Sequence, residues 1–99
     1  MPRDAWQRML NVRIPGLLRS YTNGAERVSL QLSDGERTLA QALAALDEKY
    51  PGLRFRIVDE QGAVRPHIKF FVDTVLVRDL ASPLEPDSEL MIVGALSGG

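Results

Sequence analysis

The group in this sequence that could take part in chemistry is the carboxylate at its C-terminus. The chain has 99 residues and finishes Ala95-Leu96-Ser97-Gly98-Gly99, which we call the tail. Two glycines remove side-chain bulk and free the backbone, so the tail could enter a narrow slot in another protein. A terminal Gly-Gly also arises by chance in roughly one chain in 200, so its meaning depends on the residues that precede it.

The other candidate side chains do not form a catalytic set. His67 is the only histidine and there is no cysteine, which argues against zinc sites, disulfides and cysteine nucleophiles. Ser97 lies in a segment that departs from the nucleophile-elbow pattern at Ala95. We therefore interpret the chain as a partner or substrate of enzymes rather than an enzyme, with no bound metal or cofactor.

Composition and charge are those expected of one small globular domain. The net charge of −1 gives no argument for binding nucleic acid or an anionic membrane. No apolar run approaches the ~18 residues that a membrane span needs, and residues 1–8 lack the apolar region of a signal peptide. Together with the absence of cysteine, this predicts a cytoplasmic protein.

Two strands are predicted in the first third of the chain. Apolar and polar residues alternate over 9–14 and again over 28–32, which is the period of a half-buried strand. Pro15-Gly16 ends the first strand, and Thr22-Asn23-Gly24 is a turn signal. We expect a hairpin with a long loop.

The next segment predicts an amphipathic helix. After a turn at 33–36, Thr38 and Gln41 have the spacing of a capping box. The predicted apolar face comprises Leu39, Ala42, Leu43, Leu46 and Tyr50. Pro51 and Gly52 should end the helix.

The second half of the chain predicts three more strands. Residues 52–66 are expected to form an ordered loop with one short helical or extended turn. The predicted strands are 68–72, 75–77 and 89–93, with a tight turn at Asp73-Thr74 and a proline-punctuated loop over 80–86. One helix on a mixed sheet of four to five strands is an α+β domain. The last strand can lie centrally beside the first and so anchor the tail.

One face of this sheet is predicted to be unusually apolar. If Phe70 faces the helix, then Phe71 points away from it, and the same alternation turns Met91 and Val93 outward. A sheet with one covering helix should show water a polar second face. We therefore predict a docking patch that consists of Phe71, Leu76, Met91 and Val93. The alternative is that Trp6 or the loop 52–66 covers these residues as a minor core.

Several segments resemble the MoaD/ThiS family of ubiquitin-like sulfur-carrier proteins, in its CysO-like branch. They are the helix and its exit at 38–53, Phe71-Val72-Asp73, the approach to the last strand at 84–90, and the Gly-Gly ending. The long loop at 52–66 is what resembles the CysO-like branch. The resemblance divides the chain into an N-terminal extension at 1–8, a domain at 9–94 and the flexible tail at 95–99.

The resemblance implies a β-grasp fold and a sulfur-carrying role. A ubiquitin-activating-like adenylyltransferase would use ATP to adenylate Gly99, and a sulfur nucleophile would then leave a thiocarboxylate. That group would donate sulfur in metabolite or cofactor biosynthesis. Residues Ala95, Leu96, Ser97 and Gly98 would enter the partner's active site. Implied partners are the adenylyltransferase, a sulfur donor enzyme and a sulfur-accepting biosynthetic enzyme, with a metalloprotease as a further candidate.

Three other functions remain open on the sequence alone. A ubiquitin-like modifier would join the activated Gly99 to lysine amines. The small subunit of molybdopterin synthase would insert its tail into a larger catalytic subunit. A plain binding module would carry an incidental Gly-Gly.

The first testable prediction concerns Gly98. We expect Gly98→Ala to leave the unfolding midpoint unchanged, since the tail should make no core contacts, and to slow activation because the added methyl group narrows backbone access. Adenylation kinetics equal to those of the wild-type chain would contradict the narrow-slot interpretation.

Overall fold

The computed structural model describes residues 9–32, 37–85 and 87–94. The N-terminal extension, the predicted turn at 33–36, Pro86 and the tail lie outside these residues. The strands are β1 (Met9–Arg13), β2 (Arg27–Gln31), β3 (Ile68–Val72), β4 (Val75–Val77) and β5 (Glu89–Gly94). The helices are a 3-10 turn (Gly16–Leu18), α1 (Leu39–Lys49) and the single-turn α2 (Leu53–Ile57).

The five strands form one mixed sheet in the order β2-β1-β5-β3-β4. β1 and β2 are antiparallel, and so are β3 and its two neighbours. β5 runs parallel to β1, so the last strand lies in the centre of the sheet beside the first. The predicted α+β class, the hairpin and the central last strand are all confirmed.

A capping box fixes the start of α1, as predicted. The N–H of Gln41 donates to Thr38 Oγ1 over 3.2 Å, and the N–H of Thr38 donates to Gln41 Oε1 over 3.0 Å. Carbonyls of the loop after β4 accept the next free N–H groups, those of Leu39 and Ala40. The helix N-terminus therefore has partners for the donors that a helix leaves unpaired.

The chain leaves α1 at the predicted place and turns directly into α2. Gly52 has φ +95°, a left-handed conformation that favours glycine. Asp47 Oδ1 accepts from the N–H groups of Gly52 and Arg54, both over 3.1 Å, and so holds the start of α2 against the end of α1. The expectation of an ordered loop with one short turn at 52–66 is confirmed, and that turn is helical.

The tight turn between β3 and β4 is built on two residues with positive φ. Asp73 has φ 48° and Thr74 has φ 73°, the pattern of a two-residue hairpin turn. Asp73 also makes the last hydrogen bonds of the ladder between β3 and β5. Its N–H donates to the carbonyl of Glu89, and its Oδ1 accepts from the N–H of Glu89, both over 3.0 Å. The turn therefore links the far edge of the sheet to the first residue of β5.

The helices cover one face of the sheet and enclose a single core cluster with it. Phe70, Leu90 and Ile92 contribute the inner faces of β3 and β5, and Leu43 and Leu53 contribute those of the helices. Within the described ranges, no helix is long and apolar enough to cross a membrane.

The capping box gives the second prediction. Thr38→Ala removes the acceptor for the N–H of Gln41, and we expect it to lower the free energy of unfolding by about 1 kcal/mol. Urea denaturation followed by circular dichroism measures the change. Thr38→Ser is the matched control because it keeps the hydroxyl. Equal losses in the two variants would mean that the cap contributes nothing.

Candidate docking face and base of the tail

Strict alternation along β3 and β5 divides their side chains between two faces of the sheet. Phe70 is 1% exposed in the core, whereas its neighbour Phe71 is half-buried on the opposite, outer face. On β5, Ile92 is buried while Met91 and Val93 are half-buried on the outer face. The structure therefore places the predicted patch residues on the face that the sequence assigned to them.

Register brings the patch residues side by side. Phe71 is paired with Leu76 on β4 and with Met91 on β5. Met91 is paired in turn with Arg13 on β1, and Arg13 with Arg27 on β2. One row of outward side chains thus crosses all five strands, apolar on three of them and basic on the other two. Directly paired residues are close enough to interact, so this row is one surface.

The second row of the face leads toward the tail. Val93 is paired with Lys69, and Gly94 follows it as the last residue of β5. The tail begins at the next residue. A protein that covered Phe71 and Met91 would therefore lie close to the point from which the tail departs.

The loop 52–66 does not cover the patch. Its apolar residues Leu53, Ile57 and Val58 are buried in the main core, on the other side of the sheet. No patch residue belongs to that core or to the half-buried side chains that pack against it. The alternative of a minor core formed by this loop is wrong because the residues needed for it are already used. Trp6 lies outside the described residues.

The base of the tail is held by close packing as well as by strand pairing. A side chain at position 94 would collide with the side chain of Leu17, which lies in the 3-10 turn after β1. Ile68 approaches Gly94 from β3, with which Gly94 is paired. A cavity of about 260 Å³ opens beside Gly94 and is partly lined by Arg13 and Arg19.

Apart from the patch, His67 is the candidate side chain that falls within the described residues. His67 is half-buried in the segment that precedes β3. Among the residues with described positions, no three His, Cys, Asp or Glu side chains are grouped so that they could hold a metal ion. Gly99 and the other tail residues lie outside the described residues.

The basic part of the outer face was not predicted. Alternation along β1 places Arg13 on the face opposite to the buried residues, and this pattern could have indicated its outward position. Its position beside Met91 depends on the parallel register of β1 and β5, and that register is a property of the assembled sheet.

Comparison with known proteins identifies the family. The model of the ThiS family matches residues 12–99. The chain belongs to the ThiS family. The match includes every described strand and helix except the first three residues of β1. No curated protein sequence matches the chain significantly.

Several solved structures have a fold similar to that of this chain. A chain of the BexX/CysO complex of Amycolatopsis orientalis is similar at 25% identity with a TM-score of 0.79, covering 91% of this chain and 99% of that one. CysO of Mycobacterium tuberculosis is similar at 26% identity with a TM-score of 0.75, covering 88% and 99%. The small archaeal modifier protein 1 of Methanosarcina acetivorans is similar at 25% identity with a TM-score of 0.71, covering 92% and 96%.

Family and fold together show a β-grasp protein of the ubiquitin-like type, either a sulfur carrier or a modifier. The predicted fold and the predicted family are confirmed. Two of the similar structures contain CysO and the third is a small archaeal modifier protein.

Two neighbouring phenylalanines test the division between the faces. We expect Phe70→Ala to destabilise the fold by about 3–5 kcal/mol, because it leaves a cavity in the core. Phe71→Ala should cost much less, since Phe71 contributes nothing to the core cluster. Chemical denaturation of both variants measures the difference. A similar loss for Phe71→Ala would show that its side chain is structural.

Proposed function

We propose that this protein carries sulfur as a thiocarboxylate at Gly99. The observation that carries the proposal is the continuity of the outer face: the apolar patch of β3, β4 and β5 leads along β5 to the residue from which the Gly-Gly tail departs. A partner that buries the patch receives the tail from a fixed starting point. Membership of the ThiS family supports the same function.

The chemistry requires activation by a partner enzyme. A carboxylate oxygen of Gly99 attacks the α-phosphorus of ATP in a ubiquitin-activating-like adenylyltransferase, and pyrophosphate leaves. Sulfide then attacks the carbonyl carbon, and AMP departs with the oxygen that joined it to the acyl group. The product is the thiocarboxylate, which donates sulfur in metabolite or cofactor biosynthesis. Where an enzyme persulfide is the sulfur source, a second thiol must cleave the resulting acyl disulfide.

The chain's own part in this reaction is to bind the partner enzyme and to position the tail in its active site. Gly94 is paired with Ile68 of β3 and lies against the side chain of Leu17, so the tail leaves the domain from a defined point. Five residues separate Gly94 from the far end of the tail, and an extended chain covers at most about 3.6 Å per residue. The reacting carbonyl group must therefore lie within about 18 Å of the Gly94 Cα atom. ATP belongs to the activating partner, and this chain binds no cofactor of its own.

A ubiquitin-like modifier is the second candidate function. The likeness to the small archaeal modifier protein 1 of Methanosarcina acetivorans favours it. Activation of Gly99 is common to both functions, and they differ in the nucleophile that follows. A lysine amine would give an isopeptide bond and adducts of high mass, whereas a sulfur nucleophile gives a thiocarboxylate.

Intact-mass spectrometry tests the proposal. The protein is incubated with a cognate adenylyltransferase, ATP and sulfide. We expect the mass to rise by the difference between one sulfur and one oxygen atom, and the rise to be absent when Gly99 is deleted. No rise with a demonstrably active adenylyltransferase would reject the carrier function, and appearance of lysine-linked adducts instead would favour the modifier.

A matched pair of variants tests the docking patch in the same assay. Phe71→Asp puts a charge in the patch and should slow adenylation at an unchanged unfolding midpoint. Val75→Asp puts the same charge on a residue that is 63% exposed on β4 and paired with Val72, outside the outer face. We expect Val75→Asp to be adenylated at the wild-type rate. Equal rates for the two variants would exclude the patch as a docking site.

A further inference from the structure

A second cavity lies at the β4 edge of the sheet, next to the docking patch. Its volume is about 340 Å³, within the range of ligand and side-chain pockets. Three cationic residues, Arg65, Lys69 and Arg78, contribute to its walls, together with Val64, Leu76 and Val77. Within the described part of the chain, no acidic residue lines it. The local charge is thus strongly positive in a chain whose net charge is −1.

One of the two arginines of this cavity, Arg65, is held by a hydrogen bond to the backbone. Arg65 is half-buried, and its Nε donates to the carbonyl oxygen of Phe55 over 2.7 Å. This hydrogen bond uses one of the five N–H donors of the guanidinium group. Its remaining donors have no hydrogen-bond acceptor among the described residues. They can bind a carboxylate, which a guanidinium holds in a two-point geometry.

Asp59 carries a carboxylate that senses the charge of Arg65, and one of its oxygens is used by the backbone. Asp59 Oδ1 accepts from the N–H groups of Ala63 and Gln61, both over 2.9 Å. The hydrogen bond from Ala63 is the main reason that the pKa of Asp59 is lowered, and the charge of Arg65 contributes less. The Oδ1 atom of Asp59 therefore holds the turn that follows it.

The other two cations lie free of carboxylates in the described structure. Lys69 and Arg78 are exposed, and the one ion pair found among the described residues joins Arg19 to Glu26 in the connection between β1 and β2. Like charges that share a cavity repel each other, so an anion between them would be favoured.

The cavity is continuous with the docking patch. Leu76 belongs to both, and Lys69 is paired with Val93 of the patch. We infer that the cavity receives a carboxylate-bearing segment of the protein that docks on the patch, so that apolar contact and charge pairing act in one interface. This inference rests on the proposed function, because it takes the adenylyltransferase as that protein. Charges at the edge of an interface mainly steer association and fix orientation, which is what insertion of a thin tail requires.

Binding measurements in two salt concentrations test the inference. The dissociation constant for the adenylyltransferase is measured without ATP for the wild-type chain, Lys69→Ala and Arg78→Ala. We expect each variant to bind about fivefold more weakly at low salt, and the difference to shrink in 0.5 M salt because exposed charges are then screened. Arg54→Ala is the matched control: it removes one exposed positive charge from α2, outside the cavity, and should bind like wild type.

The outcomes separate the inference from the proposed function. Wild-type affinity and salt dependence in both cavity variants would overturn the inference, while a normal gain of sulfur by the wild-type chain would leave the carrier function standing. Equal weakening by Arg54→Ala would also overturn it, since net charge alone would then explain the effect. A wild-type chain that neither binds the adenylyltransferase nor gains sulfur would reject both proposals.

A titration with inorganic phosphate distinguishes a site for a free small anion from a site for a carboxylate of the partner protein. Amide shifts of Lys69 and Arg78 are followed by NMR as phosphate is added to the free protein. We expect no saturation in the millimolar range. Submillimolar saturation together with unchanged adenylyltransferase binding in the cavity variants would assign the cavity to a free anion and overturn the inference.

Discussion

The hydrogen bonds on both sides of β5 are the interaction on which the rest of the structure depends. β5 is parallel to β1 and antiparallel to β3, so it joins the N-terminal hairpin to the β3–β4 hairpin. Without it the two hairpins share no strand, and an isolated hairpin is only marginally stable in water. Its inward residues Leu90 and Ile92 are also fully buried in the core. The strand that leads to the tail is thus the least replaceable strand of the sheet.

Side chains of β3 and β5 alternate between the two faces of the sheet. Neighbouring residues therefore serve different purposes, one in the core and the next on the outer face. Phe70 and Ile92 hold the sheet to the helices, while Phe71, Met91 and Val93 are left to the outer face. A slip of one residue in register would exchange the buried and the outward side chains. The packing of the core therefore also determines which side chains are presented to a partner. The basic residues around the patch inherit their positions from the same register.

Local signals made much of this fold predictable. The capping box of Thr38 and Gln41 and the alternation at Phe70 and Phe71 involve residues close in sequence, and both agree with the structure. The positive surfaces were not predictable in this way. Arg13 meets Met91 through strand register, and Arg65 meets Arg78 only because a loop after α2 returns to the β4 edge. Such contacts depend on how distant segments assemble. The net charge of the chain is near zero, so composition gave no sign of a local excess of cations.

The central position of β5 has a mechanical consequence. A partner that draws the tail inward pulls on Gly94 along the axis of β5. The ladder to β3 extends to Gly94, and the ladder to β1 covers Glu89, Leu90 and Met91. Both ladders lie across that axis, so the pull loads them in shear rather than opening them one by one. The geometry of the sheet therefore opposes a pull that is applied at Gly94 along β5.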